Sequence, residues 1–357
     1  MQIRGGSSKG VYFLKSDLPE DTDLRDKVLL AVMGGGDIRQ IDGLGGAHPL
    51  TSKIGIISPS EREGIDVDYL FVQAVVGENR VDTTPNCGNI LAGVGPFAIE
   101  SGLVQPTEGK TKVDVYMVNS GNRCELEVIT PEGKVEYEGD ASIDGVPGSA
   151  SPLICNYMDL AGSACGKLLP TGKICDVVNG ISVTCIDNGM PVVLLRSRDF
   201  NITGYETSDE LNANTELKQK LEEIRLQLGP MMNLGDVNDK VVPKMSLIAA
   251  PTAGGHISTR TFIPHVCHSA VGVLGAVSVA TACILPGSVA DGITIIPDGN
   301  PKNISVEHPS GEFSVNLEIA GTPTSPEVVK AGLLRTARLL SKGETYISTS
   351  IWKGNKK

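Results

Sequence analysis

Aromatic residues are scarce in this sequence: they make up 4% of its 357 residues, and there is a single tryptophan. Glycine occurs 42 times and proline 21 times, so we expect closely packed elements and many tight turns. Hydrophobic residues still make up 40% and charged residues 20%, which excludes disorder along the whole chain. The length fits two domains or one large one.

Positive charge is also in short supply. The sequence has 31 lysines and arginines but 42 aspartates and glutamates, so its formal net charge is −11. This balance argues against nucleic acid as a partner. The longest uncharged apolar stretch, residues 269–285, is shorter than the ~20 residues of a membrane-spanning helix. No secretory signal opens the chain. We therefore expect a soluble cytoplasmic protein that binds no membrane.

Metal-binding spacings are missing as well. The sequence has no C-x-x-C or C-x-x-H pair, and its five histidines are scattered, so we expect neither a metal site nor a cofactor. The eight cysteines lie in a long chain without an export signal. This context favours free thiols over disulfides.

Two stretches with helical character have no polar face: residues 89–103 and 269–285. A helix that is apolar all round is a buried one. Each stretch follows a cysteine, Cys87 in the first half and Cys267 in the second. We therefore predict a duplicated α+β fold of two pseudo-symmetric domains. In each, a curved, mostly antiparallel sheet wraps around one buried helix, and the cysteines face each other across a cleft.

The predicted domains are residues 1–187 and 188–345, with the boundary near Cys185–Pro191. Three surface helices are predicted at Pro19–Met33, Leu211–Leu228 and Pro326–Leu340, the last with Ser325 as its N-cap. Stretches rich in β-branched residues, separated by short Gly or Pro turns, favour antiparallel strands. These are Val67–Val76, Val113–Val118, Glu125–Thr130, Val135–Tyr137, Ile181–Ile186, Pro191–Leu195 and Phe313–Ile319.

Cys87 is the cysteine with the clearest chemical context. At a helix N-terminus, unpaired N–H groups and the helix dipole favour negative charge, and the same groups bind carboxylates. The Cys87-Gly88-Asn89 segment therefore combines a proton carrier with an anion site. The alternative is that Cys87 serves only as a small buried hydrophobic residue.

Two glycine-rich loops complete the set of candidates. Arg4–Gly10 is not a P-loop, because its lysine precedes the glycine, and a carboxylate-binding nest fits it better. The loop Ile41–Lys53 leads into an apolar strand. A lysine that loses hydration there can act as a general base. A solvated charge at the end of the strand is the alternative for Lys53.

Short motifs spread over nearly the whole chain carry a family resemblance. They are Arg4–Gly10, Pro49–Lys53, Asp66–Phe71, Asn86–Asn89, Gly95–Glu100, Ile143–Gly148, Gly235–Val237, Pro264–His268 and Glu307–Gly311. Together they resemble the PrpF family of allylic isomerases, which contains 4-oxalomesaconate tautomerase and methylaconitate isomerase. The resemblance implies the diaminopimelate epimerase-like fold, which agrees with the predicted duplication.

The resemblance also implies residue roles. In this family the lysine of the Leu-Thr-Ser-Lys motif, here Lys53, removes the allylic proton. The cysteine of Asn-Cys-Gly-Asn, here Cys87, delivers a proton to the other end of the allyl system. Binding an anion to so negative a chain requires local donors. The predicted substrate contacts are Arg4, Gly6, Ser7, Ser8, Asn86, Gly88, Asn89, Arg260, Cys267, His268 and Ser269.

The expected reaction shifts a C=C bond in a small unsaturated di- or tricarboxylate, with 4-oxalomesaconate ranked first. Aconitate, methylaconitate and methylitaconate are open alternatives. A racemase or epimerase with Cys87 and Cys267 on opposite faces of a stereocentre is a second hypothesis. A non-enzymatic accessory protein that binds carboxylates is a third. A monomer and a homodimer are both compatible with the sequence.

Overall fold

The computed structural model describes residues 1–83, 86–158, 160–322 and 325–354. The chain divides into two compact units: unit 1 is Met1–Met158 with Leu334–Lys357, and unit 2 is Asp159–Leu333. We predicted the domain boundary near Cys185–Pro191. That segment instead contains the turn of a hairpin in unit 2, because Asp187 pairs with Pro191 across it.

Unit 1 is built on a closed barrel of eight strands. The eight barrel strands are β1 (Gln2–Gly5), β2 (Ser8–Leu14), β3 (Lys53–Pro59), β4 (Val67–Ala74), β6 (Gly109–Met117), β7 (Asn122–Thr130), β8 (Pro152–Met158) and the last strand, β16 (Ser325–Ser341). A short further strand, β5 (Val81–Asp82), lies between β4 and β6 in the chain. Neighbours follow the order β1-β2-β3-β4-β6-β7-β8-β16, and β16 pairs again with β1. The short strand β5 pairs with β4 outside this circuit.

The helices of unit 1 are α1 (Thr22–Met33), α2 (Gly88–Leu91) and α3 (Val94–Glu100). The α1 helix ends at Gly34, in the left-handed conformation typical of a helix C-cap, as the sequence predicted. The single helix predicted over residues 89–103 is split into α2 and α3. Pro96 explains the interruption, because proline has no N–H to pair with the carbonyl four residues earlier. The prediction that this segment is buried is confirmed.

Helices cover both faces of this sheet. On one face, α1 forms a buried cluster with residues of β2, β3 and β4. On the other, the Tyr12 hydroxyl of β2 donates to the carbonyl of Ile90 in α2 at 2.7 Å. A Cβ on Gly95 of α3 would lie 2.8 Å from Val128 of β7, so glycine permits this close approach. The second face of the sheet carries the candidate site.

Unit 2 contains an open row of strands: β9 (Asp176–Val178), β10 (Ile181–Asp187), β11 (Pro191–Arg196), β12 (Lys244–Ala249), β13 (Ile257–Phe262), β14 (Lys302–His308) and β15 (Gly311–Thr322). They follow one another in chain order, and β15 pairs with the first part of β16. The helices are α4 (Ser208–Ala213), α5 (Thr215–Met231) and α6 (Val273–Cys283). No helix in the described parts of the chain is long and apolar enough to cross a membrane.

Two predicted helices of unit 2 have different limits in the structure. The helix predicted over Leu211–Leu228 is the pair α4 and α5, divided at Asn214, whose side chain caps α5. The buried helix α6 begins at Val273 and not at Ser269, because Gly272 precedes it with a φ of 76°. The prediction that α6 is buried is confirmed.

The two units pair their strands in the same order of directions. Along β1-β2-β3-β4-β6-β7 the pairs are antiparallel, parallel, antiparallel, parallel and antiparallel. The same series runs along β10-β11-β12-β13-β14-β15. In both units a surface helix lies in the first parallel crossover and a buried helix in the second.

Two further predictions were wrong. The segment Pro326–Leu340, predicted as a helix, belongs to strand β16. Val315 of β15 pairs with Leu333, and Gln2 of β1 pairs with Ser341, so long-range pairing overrides the local N-cap and proline signals. Val135–Tyr137, predicted as a strand, is not part of one. The other six predicted strands are present.

Candidate active site

Lys53 is the first residue of β3, where it pairs with Gly10 of β2 and Gln73 of β4. Its neighbour Ile54 belongs to the cluster packed on α1. Because side chains alternate along a strand, Lys53 faces the opposite side, where α2 lies. Its Nζ lies 5.1 Å from the centre of the Phe71 ring, and such a cation–π contact stabilises an ammonium group.

The amine of Lys53 contacts the thiol of Cys87, with Nζ and Sγ 3.4 Å apart. Cys87 is the N-cap residue of α2 and is 8% exposed. Its backbone is held at both ends: its N–H donates to Asn86 Oδ1 at 2.8 Å, and its carbonyl accepts from the Tyr69 hydroxyl at 3.3 Å. The structure thus brings together the two residues that the sequence predicted as base and acid.

The turn between β1 and β2 packs against the start of α2. A Cβ on Gly6 would lie 2.2 Å from Asn89 Oδ1, and Gly6 has a φ of 51°, so this position requires glycine. The Ser7 hydroxyl accepts from Asn89 Nδ2 at 3.1 Å. The Ser8 hydroxyl is buried, and no partner for it occurs in the described residues. The predicted nest and the predicted helix start are therefore adjacent.

The side chain of Arg4 links this turn to strand β16. Its Nη1 donates to the carbonyl of Gly6 at 3.0 Å, and to the carbonyl and hydroxyl of Thr336 at 3.0 and 2.9 Å. Burial lowers the pKa of the Arg4 guanidinium, and the neighbouring Arg338 charge adds to that effect. We predicted Arg4 as a substrate contact. In the structure its Nη1 donates to these three oxygens and holds the turn, and its contact with substrate stays a prediction.

The candidate residues of unit 2 are arranged differently. Cys267 was expected at the start of the second buried helix, but α6 begins at Val273. Instead, Cys267 belongs to the buried cluster that packs on α5. Asn212 holds its backbone, accepting from the Cys267 N–H at 2.7 Å and donating to its carbonyl at 3.3 Å. Burial raises the pKa of the Cys267 thiol, opposed by Ser208 and Arg260.

The other predicted substrate contacts of unit 2 are His268, Ser269 and Arg260. The hydrogen bonds described here use the backbone carbonyls of the first two and a backbone acceptor of the third. The carbonyl of His268 accepts from Ser208 Oγ at 3.3 Å, and that of Ser269 accepts from Ser310 Oγ at 2.7 Å. Arg260 is 8% exposed, and its Nε donates to the carbonyl of Glu206 at 2.6 Å. Burial lowers the pKa of Arg260.

Two buried tyrosines beside the site were not singled out from the sequence. Tyr12 and Tyr69 are fully buried, and burial, followed by the charge of a Cys87 thiolate, raises their pKa values well above the ordinary range. Both hydroxyls therefore stay protonated and donate to backbone carbonyls around α2. The signal was present for Tyr69, since Tyr69, Phe71 and Gln73 alternate on one face of β4.

The chain matches the family model described as PrpF protein over residues 1–348. It is 56% identical over 347 residues to the (4E)-oxalomesaconate Delta-isomerase of Novosphingobium sp. (strain KA1). That alignment covers 97% of this chain and 96% of the relative. It is also 56% identical over 356 residues to the 4-oxalomesaconate tautomerase of Pseudomonas putida, covering 99% and 97%.

A solved structure shares the fold. The crystal structure of methylitaconate-delta-isomerase matches this chain with a TM-score of 0.88 and 34% sequence identity. The match covers 99% of this chain and 96% of that one.

Proposed function

Since the chain belongs to the PrpF family, whose model it matches over residues 1–348, we propose that it is a cofactor-independent isomerase that shifts a C=C bond in an unsaturated polycarboxylate. The family resemblance read from short motifs is confirmed. The proposed substrate is 4-oxalomesaconate, because two relatives at 56% identity are named for that acid.

In the proposed reaction, Lys53 in its unprotonated form removes a proton from the carbon next to the double bond. The C–H bond is acidic because its anion is a dienolate conjugated with a carbonyl group. Cys87 then protonates the far carbon of the allyl system. A general base and a general acid of this kind each contribute about 10²- to 10⁴-fold to a rate.

The contact between Nζ and Sγ, 3.4 Å long, is the observation that carries this proposal. After one turnover Lys53 holds the proton it removed and Cys87 has lost the one it delivered. A hydrogen bond between them lets the proton pass from the ammonium to the thiolate, which restores both groups. The pair can therefore return to its starting protonation state without a third residue.

The developing negative charge on the substrate needs donors that are already in place. The turn at Gly6, Ser7 and Ser8 lies beside the start of α2, where the first N–H groups of a helix have no partner within it. We propose that these groups hold the substrate carboxylate or the enolate oxygen. Arg4 supports them by fixing the carbonyl of Gly6.

We also infer that the two units are copies of one fold, as the diaminopimelate epimerase-like architecture requires. The identical series of strand pairings supports this inference, as does the position of the two helices in each unit. Superposition of β1–β7 on β10–β15 in an experimental structure tests it. Strands whose directions match but whose Cα positions do not would count against a duplication.

Three other hypotheses have less support. A two-thiol racemase needs a reactive second cysteine, whereas Cys267 packs in the α5 cluster and burial raises the pKa of its thiol. A methylitaconate isomerase is a specific alternative, because a solved enzyme of that name shares the fold at 34% identity. A non-enzymatic carboxylate-binding protein would leave the proposed Lys53–Cys87 relay unused.

Proton NMR in D₂O tests the proposal directly. The protein is incubated with 4-oxalomesaconate, methylitaconate, methylaconitate or aconitate, and isomer formation and deuterium content are followed together. We expect isomerisation of 4-oxalomesaconate with deuterium entering the allylic positions. Exchange with methylitaconate alone would favour the alternative substrate. Binding without exchange of any acid would mean that the protein is not an isomerase of this group.

A further inference from the structure

The loop that leads into Lys53, residues 34–52, consists of turns and bends between α1 and β3. Loops of this length are uncommon in compact domains unless they have a function or are packed by their own side chains. The loop ends at Ser52, which is fully buried and directly precedes the proposed base. The position of the Lys53 amine therefore depends on how the end of this loop is held.

Gln40 connects an early part of the loop with its last residue. Its Oε1 accepts from the hydroxyl of Ser52 at 2.6 Å and from the N–H of Ala47 at 2.8 Å. Because a backbone N–H can only donate, the amide atom that faces both groups is the oxygen. The contact with Ser52 is buried and spans 12 positions of the chain. One side chain thus fixes the end of the loop to its start.

Two features of Gln40 lower the stability of the fold. Its φ of 50° lies in the left-handed region, which is uncommon for a residue with a Cβ. Its Nε2 is buried and has no hydrogen-bond partner among the described residues, and an unpaired buried donor is costly. The loop is nevertheless shaped around this amide, since a Cβ on Gly45 would overlap its Oε1. Costs of this kind persist where a function depends on the geometry.

The backbone of Ser52 is attached to the neighbouring strand β4. Its carbonyl accepts from the N–H of Ala74 at 3.1 Å and from Gln73 Nε2 at 2.9 Å. Gln40 holds the side chain of the same residue. Ser52 and Lys53 share a peptide bond, so a shift of Ser52 carries Lys53 with it. That shift would disturb the contact of 3.4 Å between the Lys53 amine and the thiol of Cys87.

We propose that Gln40 is a positioning residue for Lys53, acting through its hydrogen bond to Ser52. The expected effect on rate rests on the proposed function, whereas the contacts of Gln40 do not. Loss of Oε1 should slow the step that Lys53 performs. It should leave substrate affinity nearly unchanged, because the proposed substrate contacts lie at the turn between β1 and β2.

Gln40→Met removes the acceptor and keeps a side chain of similar length. A displacement of about 1 Å can cost about 100-fold in rate. Since Gln73 still holds the carbonyl of Ser52, we expect a smaller fall in kcat, about tenfold, with KM within about twofold. Initial rates with 4-oxalomesaconate measure both, and a thermal melt measures stability.

Thr111→Val is the matched control. The Thr111 hydroxyl also accepts from a backbone N–H, that of Thr107 at 2.9 Å, and bonds to a second hydroxyl, that of Thr130 at 2.8 Å. These bonds lie on β6 and β7 and are likewise buried or half-buried. The control should lose comparable stability but keep its kcat. An equal fall in kcat in both variants would reduce Gln40 to a structural role and overturn the proposal.

Ser52→Ala removes the other partner of the same hydrogen bond and is the smaller change if Gln40→Met does not fold. The two single variants and the double variant form a cycle. If Gln40 acts through Ser52, the double variant should be no slower than the slower single variant. Losses that multiply would contradict this route, and so would a normal kcat in Ser52→Ala.

Deuterium entry in the Cys87→Ser background reports the step of Lys53 by itself. Adding Gln40→Met to that background should slow the exchange by about the same tenfold, because a displaced base is less effective. Exchange at an unchanged rate would show that Gln40 does not act on Lys53.

Crystal structures of the variants separate this proposal from the proposed function. The contact of Lys53 Nζ with Cys87 Sγ, 3.4 Å long, should persist in Thr111→Val and be lost in Gln40→Met. A protein that shows this change but isomerises none of the candidate acids would refute the function and leave the positioning role. An active isomerase whose Gln40→Met variant keeps both the contact and its kcat would refute the positioning role and leave the function.

Discussion

The two units share one order of strand pairing but place their cysteines differently. In unit 1, α2 begins directly after Cys87, and the thiol lies 3.4 Å from Lys53. In unit 2, α6 begins only at Val273, and Cys267 packs in the cluster on α5. The cysteine therefore lies at the start of the buried helix in unit 1 but not in unit 2. Chemistry can diverge between similar frameworks through a shift of less than two helical turns.

Lys53→Met should have the largest effect, because it removes the only amine in contact with Cys87 among the described residues. We expect a loss of at least about 10²- to 10⁴-fold in kcat/KM and no entry of deuterium into the substrate, since no dienolate forms. Proton NMR in D₂O measures both. Lys53→Met that turns over at a near-normal rate would show that another group is the base.

Cys87→Ser should break the second half of the reaction. A serine hydroxyl is a far weaker acid than a thiol, so we expect isomerisation to fall about 10²-fold or more. Deuterium should still enter the position that Lys53 deprotonates. The two rates are compared in one NMR time course, with Cys124→Ser as a control at another buried cysteine of unit 1. Loss of both exchange and isomerisation would mean that Cys87 also acts in the first step.

Tyr69→Phe should have a modest effect. It removes the hydrogen bond to the Cys87 carbonyl, which also accepts from the N–H of Leu91, so the cost should be about 1 kcal/mol, or roughly fivefold in kcat. Tyr116→Phe is the matched control, because Tyr116 lies on another strand of the same barrel and stacks on Arg62. Equal losses in both variants would exclude a specific role for Tyr69.

Cys267→Ser should have the smallest effect on activity, within about threefold, if the comparison between the units holds. Its cost should appear in stability, as about 1–2 kcal/mol in the free energy of unfolding, because a hydroxyl replaces a buried thiol in an apolar cluster. Kinetics and urea denaturation measure the two quantities. A loss of activity as large as that of Cys87→Ser would support the two-thiol mechanism.

Local signals in the sequence were enough for part of the fold. Gly34 marked the end of α1, and the absence of a polar face identified the buried segments that became α2, α3 and α6. Lys53 and Cys87 were recognisable from their motifs. Their contact could not be predicted, because 34 positions separate the two residues. The position of the Lys53 amine depends on the pairing of β3 with β2.

Other features depend on long-range contacts. Ser325 and Pro326 form a normal helix-start signal, yet the segment that follows is a strand held by β15 and β1. Gly272 lies inside an apolar stretch that resembles one helix, and its positive φ moves the start of α6.

The double role of β16 affects the order in which the protein can be completed during synthesis. Gln2 pairs with Ser341, and Arg4 donates to Thr336, so β1 cannot complete its pairing until β16 has been synthesised. While the ribosome translates unit 2, the nascent unit 1 has open edges on β1 and β8. Open edges invite pairing with other chains. Synthesis of β16, and not of Cys87, therefore sets the moment at which the barrel around the Lys53–Cys87 pair can close.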